Sequence, residues 1–396
     1  MWSNKLLLTY IITLIGVAAF LNHFSPGSHR ILIWGLGAVI AGVIFANESV
    51  RLKSIPREYL LYISLLGFAL LSLYRVIDFD GFFRYYQVLI ANSTLMIVAF
   101  LGIKNYADFK RTIEVLFICT SAVVLYSYFL EANNTFSAGT YQRLEGIIGN
   151  SNGTATYART SILLGLCIMN WTKSKIKKII ILGSVLLFAY VILLTASRSN
   201  FAILLFILFV YTYIKYFKGF SLVTYSVIAV IFVAFVSSFV ITYLDDFYVY
   251  ERLTRNEGKS IDEIEEEEAR VKLFLKAFNT TIENPINGIG LNQFRYYSGG
   301  LISHTDILDI SSQLGLIAVL FYIRIYVNVW KKFWRFTKKF KDDIIVRILF
   351  LLFITEIIFG LSNPNWFLQL NMVVLSLLIT YLSLYEEYDK NTILTA

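Results

Sequence analysis

Apolar stretches of about 17 to 25 residues, set apart by short polar breaks, recur along the chain. A hydrocarbon core about 30 Å thick takes about 20 such residues per helix, so the repeated length points to transmembrane helices. The runs fall at roughly 5–21, 31–47, 58–77, 84–101, 113–131, 155–171, 178–195, 200–216, 220–244, 304–327, 345–361 and 367–385, which predicts about 12 spans. Composition agrees, since 57% of the 396 residues are hydrophobic, only 16% are charged and 4 are proline, far from a soluble domain. The expected fold class is all-α, a polytopic membrane protein forming a single integral membrane domain over residues 1–396. The apolar run after Lys5 lacks a small-residue cleavage pattern, so it is read as an uncleaved first span.

The formal charge of +8 would suggest nucleic acid in a soluble protein, but the placement of the cations decides otherwise. One set of short loops carries Arg51, Lys53, Arg57, Lys104, Lys110, Arg111, four lysines between Lys173 and Lys178, Lys215, Lys218, and the run from Lys331 to Arg347. The alternate loops offer only Arg30, Arg75, Arg84, Arg143 and Arg198. The positive-inside rule then puts both termini in the cytoplasm and makes the basic excess topological. No nucleic-acid motif is present. Cys119 and Cys167 lie in apolar runs, far apart, and form neither a metal nor a redox motif.

This topology makes residues 245–303 one long extracytoplasmic loop between the ninth and tenth spans, too long to be a plain connection. Within it SIDEIEEEEARVKLFLKAFNTTIENP opens with Ser260 and Glu263 at capping-box spacing, carries acids early and bases late, and stops before Pro285. Its apolar residues, Val271, Phe274, Leu275 and Phe278 among them, gather near one face, as in a helix lying on a membrane surface or over the bundle. The run from Glu265 to Glu268 reads as a solvated face and not as a metal site. The loop occurs once and late, and no two-half repeat of the transporter kind is visible.

Arginines that remain on the outer side need a reason to be there. Arg143 lies in QRLEGIIGNSNGTATYAR, which also holds Arg159, and Arg198 lies in the short turn TASRSN. Arg270 is on the cap helix, where pairing with Glu266 is the plain alternative, and snorkelling is the plain alternative for Arg198. Arg295 follows NPINGIGLNQF, whose Pro285, Gly288 and Gly290 force a sharp bend. His304 stands in SHTDILD, where Ser303 and Asp306 suit the start of a helix but leave the histidine unexplained. His23 and His29, in the first outer loop, are read as having no role. Guanidinium forks bind phosphate oxygens bidentately, and a neutral imidazole can take a proton from a hydroxyl. The set suits an anionic, phosphorylated lipid on the outer face.

In this order, RLEGIIGNSNGTA, LLTASRSNFAILL, ENPINGIGLNQF and SHTDILDISSQLGLIA resemble the O-antigen ligase and polymerase family of bacterial membrane enzymes, over roughly residues 140–325. The resemblance implies a GT-C-like fold with one large extracytoplasmic loop, in the bacterial cytoplasmic (inner) membrane, and a substrate of undecaprenyl-diphosphate-linked oligosaccharide. It implies that Arg198 and Arg270 hold the diphosphate with support from Arg143, that His304 activates the acceptor hydroxyl, and that Arg159, Arg295 and Asp306 assist. Glycosyl transfer with inversion and no metal or cofactor is expected, to a growing repeat-unit chain in a polymerase or to lipid A core or another acceptor in a ligase. A chain-length regulator and a flippase are the implied partners besides membrane lipid. Two local departures stand out: family members often have Asn after this histidine, where Thr305 stands, and Gly before the Ser-Arg pair, where Ala196 stands. From another class, a flippase for the same lipid would place cations through both leaflets and show symmetric halves.

Overall fold

The computed structural model describes residues 2–17, 19, 35–37, 39, 40, 42, 43, 55–135, 143–216 and 269–394, for residues 2, 17, 132–135, 269, 270 and 387–394 by their backbone alone. Among the described residues every regular element is a helix. They are α1 (Trp2–Ile11, continued by a π-helical turn Ile12–Val17), α2 (Arg57–Leu71), α3 (Phe79–Gly102), α4 (Tyr106–Thr135), α5 (Ser151–Trp171), α6 (Lys175–Leu194) and α7 (Arg198–Tyr216). After them come α8 (Ala269–Glu283), α9 (Gln293–Tyr297), α10 (Asp306–Leu314), α11 (Leu316–Lys339), α12 (Ile344–Gly360) and α13 (Gln369–Leu394).

Six helices among the described residues are long and apolar enough to cross a membrane: Arg57–Arg75, Phe79–Gly102, Tyr106–Glu131, Lys175–Leu194, Arg198–Tyr216 and Gln369–Glu386. The protein is an integral membrane protein of all-helical architecture. The expected span at 220–244 lies outside the described residues, and of that at 31–47 only 35–37, 39, 40, 42 and 43 are described, all helical. The eleventh expected span, α12, is strongly apolar at 17 residues, and the sixth, α5, is a helix of another character. In α5 every residue from Ala158 to Ile168 is buried, Arg159, Thr160 and Ser161 included, so its polar side chains meet protein and its low hydropathy follows from a central position. It packs against α4, α6 and α12.

The chain's charges sort the bundle into two ends. At one, Asn4 donates to Asp108 at 2.7 Å, Lys177 pairs with Glu114 at 2.7 Å, and Lys332 reaches Glu58 at 3.2 Å and Glu386 at 3.6 Å. This basic end gathers the starts of α2, α4 and α6 with the ends of α11 and α13. The opposite end carries α8 and α9 and is the cap end.

The tenth expected span, 304–327, is not one helix. It breaks at Gly315, whose φ of 85° suits glycine, into the nine-residue α10 and the 24-residue α11. The break is filled by NPINGIG: Leu316 N donates to Pro285 O at 2.7 Å, Ile289 N to Ser312 O and Gly290 N to Gln313 O, both at 2.9 Å. A Cβ on Gly288 would run into the Gln313 backbone, and one on Gly315 into Ile286 O. The bend and the helix break are therefore two halves of one close backbone contact. Arg75 ties it to α2 by donating to Asn284 and to Gly288 O, and Gln293 accepts from Ile77 N and Asp78 N at 2.9 Å.

The cap helix is described from Ala269 onward, so the capping box at Ser260 lies outside the described residues. From Leu273 onward α8 has two apolar faces where one stripe was expected. Leu273, Ala277 and Thr281 are buried against α10, with Thr281 hydrogen-bonded to Ser311 at 2.9 Å. Phe274, Phe278 and Ile282 form a second row, exposed to 45%, 47% and 62%, as an interfacial helix would present.

Candidate functional site at the cap end

The segment after α9 runs down from the cap and delivers His304, half-buried, at the foot of α10. His304 has a φ of 64°, left-handed backbone that few non-glycine residues adopt. Its neighbours hold it there. Thr305 is the N-cap of α10, its hydroxyl accepting from Leu308 N at 3.2 Å, while Ser303 donates to Asp309 at 3.0 Å. Helix initiation thus falls to Thr305, where Ser303 and Asp306 were expected to serve.

Asp306 turns inward instead. It accepts from Tyr322 Oη and Asn365 N at 2.5 Å and from Trp366 N at 2.9 Å, and the Trp366 indole donates to Asp309 at 2.8 Å. At nine residues α10 is too short to cross a membrane. Burial pushes the Asp306 carboxyl up to about 7 against the pull of those three donors. Burial also raises Asp309, while Trp366, Ser303 and the nearby Arg295 charge oppose the rise. Both aspartates clamp the loop 361–368 onto the histidine segment.

The same loop reaches the Ser-Arg turn. Asn363 donates to Ser199 at 3.3 Å and accepts from Asn152 at 3.1 Å, and Ser197 donates to Asn152 at 2.8 Å. Ala196 turns the chain between α6 and α7 with a φ of 48°, so half-buried Arg198 opens α7 at the cap end. Arg143 joins this turn by donating from Nε to Thr195 O at 3.2 Å, beside a backbone bond from Leu144 N to Leu194 O at 3.2 Å. The loop 361–368 therefore joins two sets of polar contacts: Asn363 with Asn152 and the Ser-Arg turn, and Trp366 with Asp309 and Ser303 beside His304. SNPNW, in the loop between the last two spans, was not singled out from sequence; its only signal is two asparagines and a proline between apolar helices.

A cavity of about 700 Å³ opens beside this loop, lined among others by Arg84, Tyr85, Tyr157, Arg295, Phe367 and Asn371. The Arg295 guanidinium lies 5.2 Å from the centroid of the Tyr85 ring, and its buried Nε has no hydrogen-bond partner among the described residues. Of the expected site residues whose side chains are described, Arg295 alone lines it; His304, Arg198 and Arg143 do not. Arg159 lies elsewhere still. Fully buried, it pairs with Glu356 at 2.8 Å and covers the Phe359 ring at 4.7 Å. The Arg270 side chain is outside the described set. Among the described residues no three His, Cys, Asp or Glu side chains converge as metal ligands would.

Residues 182–323 match the O-antigen ligase family model. The match bears out the resemblance to the O-antigen ligase and polymerase family, whose members are glycosyl-transfer enzymes of polysaccharide biosynthesis. No curated protein matches the chain. The O-antigen ligase match takes in the Ser-Arg turn, the cap, the NPINGIG bend, His304 and the first turns of α11. Arg143, Arg159 and the loop 361–368 lie outside it, yet two of the three are bonded directly to the matched segments.

Proposed function

We propose that the protein transfers a glycan from undecaprenyl diphosphate to a sugar hydroxyl at the cap end, polymerising repeat units of a surface polysaccharide. The acceptor oxygen attacks the anomeric carbon, the bond to the diphosphate breaks on the opposite face, and the configuration inverts. His304 takes the acceptor proton, and undecaprenyl diphosphate leaves with the bonding electron pair. Arg198 and Arg270 bind the departing diphosphate, with Arg143 and Arg295 in support and Asp306 as a positioning residue. Arg159 acts within the bundle. Donors fixed in advance toward a developing charge contribute about 2.7 to 4 kcal/mol each where this has been measured in other enzymes.

What carries the reading is the loop 361–368, which through Asn363 and Trp366 holds the Ser-Arg turn and the histidine segment in one rigid assembly. Preorganisation of that kind is what a leaving diphosphate requires. The cavity beside it, with the partnerless Arg295 Nε, suits an anionic glycan carrier. In this reading the cap of residues 245–303 covers the site, the basic end faces the cytoplasm with both termini, and the membrane is the bacterial inner membrane. A flippase supplies the donor and a chain-length regulator acts on the product.

A ligase is the second reading, favoured by the description of the matched family; it differs only in passing the finished glycan to lipid A core or another acceptor. Both are tested in cells whose sole copy is His304→Ala, Arg198→Ala or Arg270→Ala, with membrane insertion checked and polysaccharide resolved on a gel. A polymerase loses the ladder and keeps single repeat units at the surface, whereas a ligase accumulates full-length chains on the carrier. A normal ladder in all three variants would remove these residues from the site.

A further inference from the structure

The basic end has a groove that the transfer reaction does not use. It lies between α2 and α11, has a volume of about 460 Å³, and is lined by Arg57, Ser64, Arg324, Asn328, Lys331 and Lys332 among others. Lys332 is occupied by Glu58 and Glu386. Glu58, the acid in its lining, is taken up by Lys332, and Arg57, Arg324 and Lys331 form no ion pair among the described residues, so the groove carries a net positive charge.

Topology accounts for cations in loops, but Arg324 is not in a loop. It stands eight residues after Leu316, inside α11, among FYIRIYV. Depth can be judged from Trp330 and Trp334, exposed to 40% and 49% on the same helix, since exposed tryptophans mark the headgroup level. At 1.5 Å per residue Arg324 lies about 9 Å below Trp330. A guanidinium there costs free energy unless it is paired or reaches water. Asn328 and Lys331 stand one and two turns nearer the surface on the same face, and Ser64 of α2 lines the groove opposite them. The groove thus runs from the surface down to an exposed cation set at membrane depth, with Asn328 and Lys331 above it.

We infer that this groove binds the phosphate headgroup of a membrane lipid from the leaflet at the basic end, held between Arg324 below and Arg57 and Lys331 above. Basic pockets between helices are the usual form of such sites, and a guanidinium matches phosphate oxygens bidentately. The acyl or prenyl chain lies outside, along the exposed side of α2, where Leu60 is 49% accessible. The site is independent of glycosyl transfer at the cap end.

Native mass spectrometry of the full chain released from detergent tests it, with phosphatidylglycerol, phosphatidylcholine, a polyprenyl monophosphate and inorganic phosphate as probes. The expected result is one tightly held phosphatidylglycerol or polyprenyl phosphate per chain, weakened about fivefold in Arg324→Gln, kept within about twofold in Arg324→Lys, and unchanged in Lys178→Gln, which removes an exposed charge from the same end. Preference for polyprenyl phosphate would identify the carrier lipid as the source, and equal binding the bulk anionic phospholipid. Equal binding of phosphatidylcholine, equal loss in Lys178→Gln, or no loss in Arg324→Gln would overturn the site. Full displacement by millimolar inorganic phosphate would show a soluble-anion site and overturn the lipid assignment.

Discussion

Replacing Arg159 should reveal whether α5 and α12 are joined by charge or by packing. The guanidinium is fully buried, bonded to Glu356 through one nitrogen at 2.8 Å, with its Nε and second terminal nitrogen unpartnered and Phe359 beneath it. Removing either member of such a pair strands the other and costs about 3 to 5 kcal/mol, whereas removing both in favour of apolar groups of similar volume is close to neutral. Arg159→Met and Glu356→Leu should therefore each be damaging, and the double variant should recover most of the loss, a coupling of at least about 5 kcal/mol between the two sites. At about 2 °C per kcal/mol for a large domain, each single variant melts roughly 6 to 10 °C lower in fluorescence-detected size exclusion, and the double within a few degrees of the parent. Because α5 starts with the turn holding Asn152 and α12 ends at the loop holding Asn363, the polysaccharide ladder should follow the same order. If the double variant melts no higher than the worse single one, the cost is packing and the charge argument fails.

Gly315→Ala and Gly288→Ala each put a Cβ into facing backbone at a positive φ, so either should abolish the ladder and lower the yield of folded protein on size exclusion, while Gly183→Ala, in open space, should be silent in both. Trp366→Phe removes the donor to Asp309 and should cost about 1 to 3 kcal/mol by leaving a buried carboxylate oxygen short of a partner, measured as a lower melting temperature. Asn363→Ala cuts the link from the Ser-Arg turn to the loop 361–368; transfer activity in reconstituted vesicles should fall at least tenfold with little change in melting temperature, and an unchanged rate would refute the positioning role.

Periodicity and run length were enough to reveal an all-helical membrane protein, because burial of apolar residues in lipid writes itself into every span. They were least informative where protein replaces lipid around a helix. α5, with Arg159, Thr160 and Ser161 buried, looks like the weakest span by hydropathy and is the most enclosed. The break at Gly315 escaped notice for a related reason. α10 and α11 are both apolar enough to read as one run, and only the backbone of NPINGIG, some 25 residues earlier in the chain, shows why a glycine must stand between them. The charged residues proposed for the site were visible as exceptions to the charge pattern, whereas Asn152, Asn363 and Trp366 act through hydrogen bonds between distant loops, which no local pattern records.

The two departures from the family's usual residues become intelligible in the same terms. Ala196 occupies a left-handed position between α6 and α7, where glycine carries no steric penalty and alanine costs about 1 kcal/mol. Ala196→Gly should raise the melting temperature by about 1 to 2 °C without altering the ladder, and a fall in stability would mean that the methyl packs productively at its buried position. Thr305 caps α10 through its hydroxyl, a task asparagine performs equally well. What both positions keep constant is the path of the chain. Left-handed turns precede Arg198 and place His304, and a helix start follows each, so that the side chains proposed to meet the diphosphate and the hydroxyl are carried on backbone that is already committed before substrate arrives.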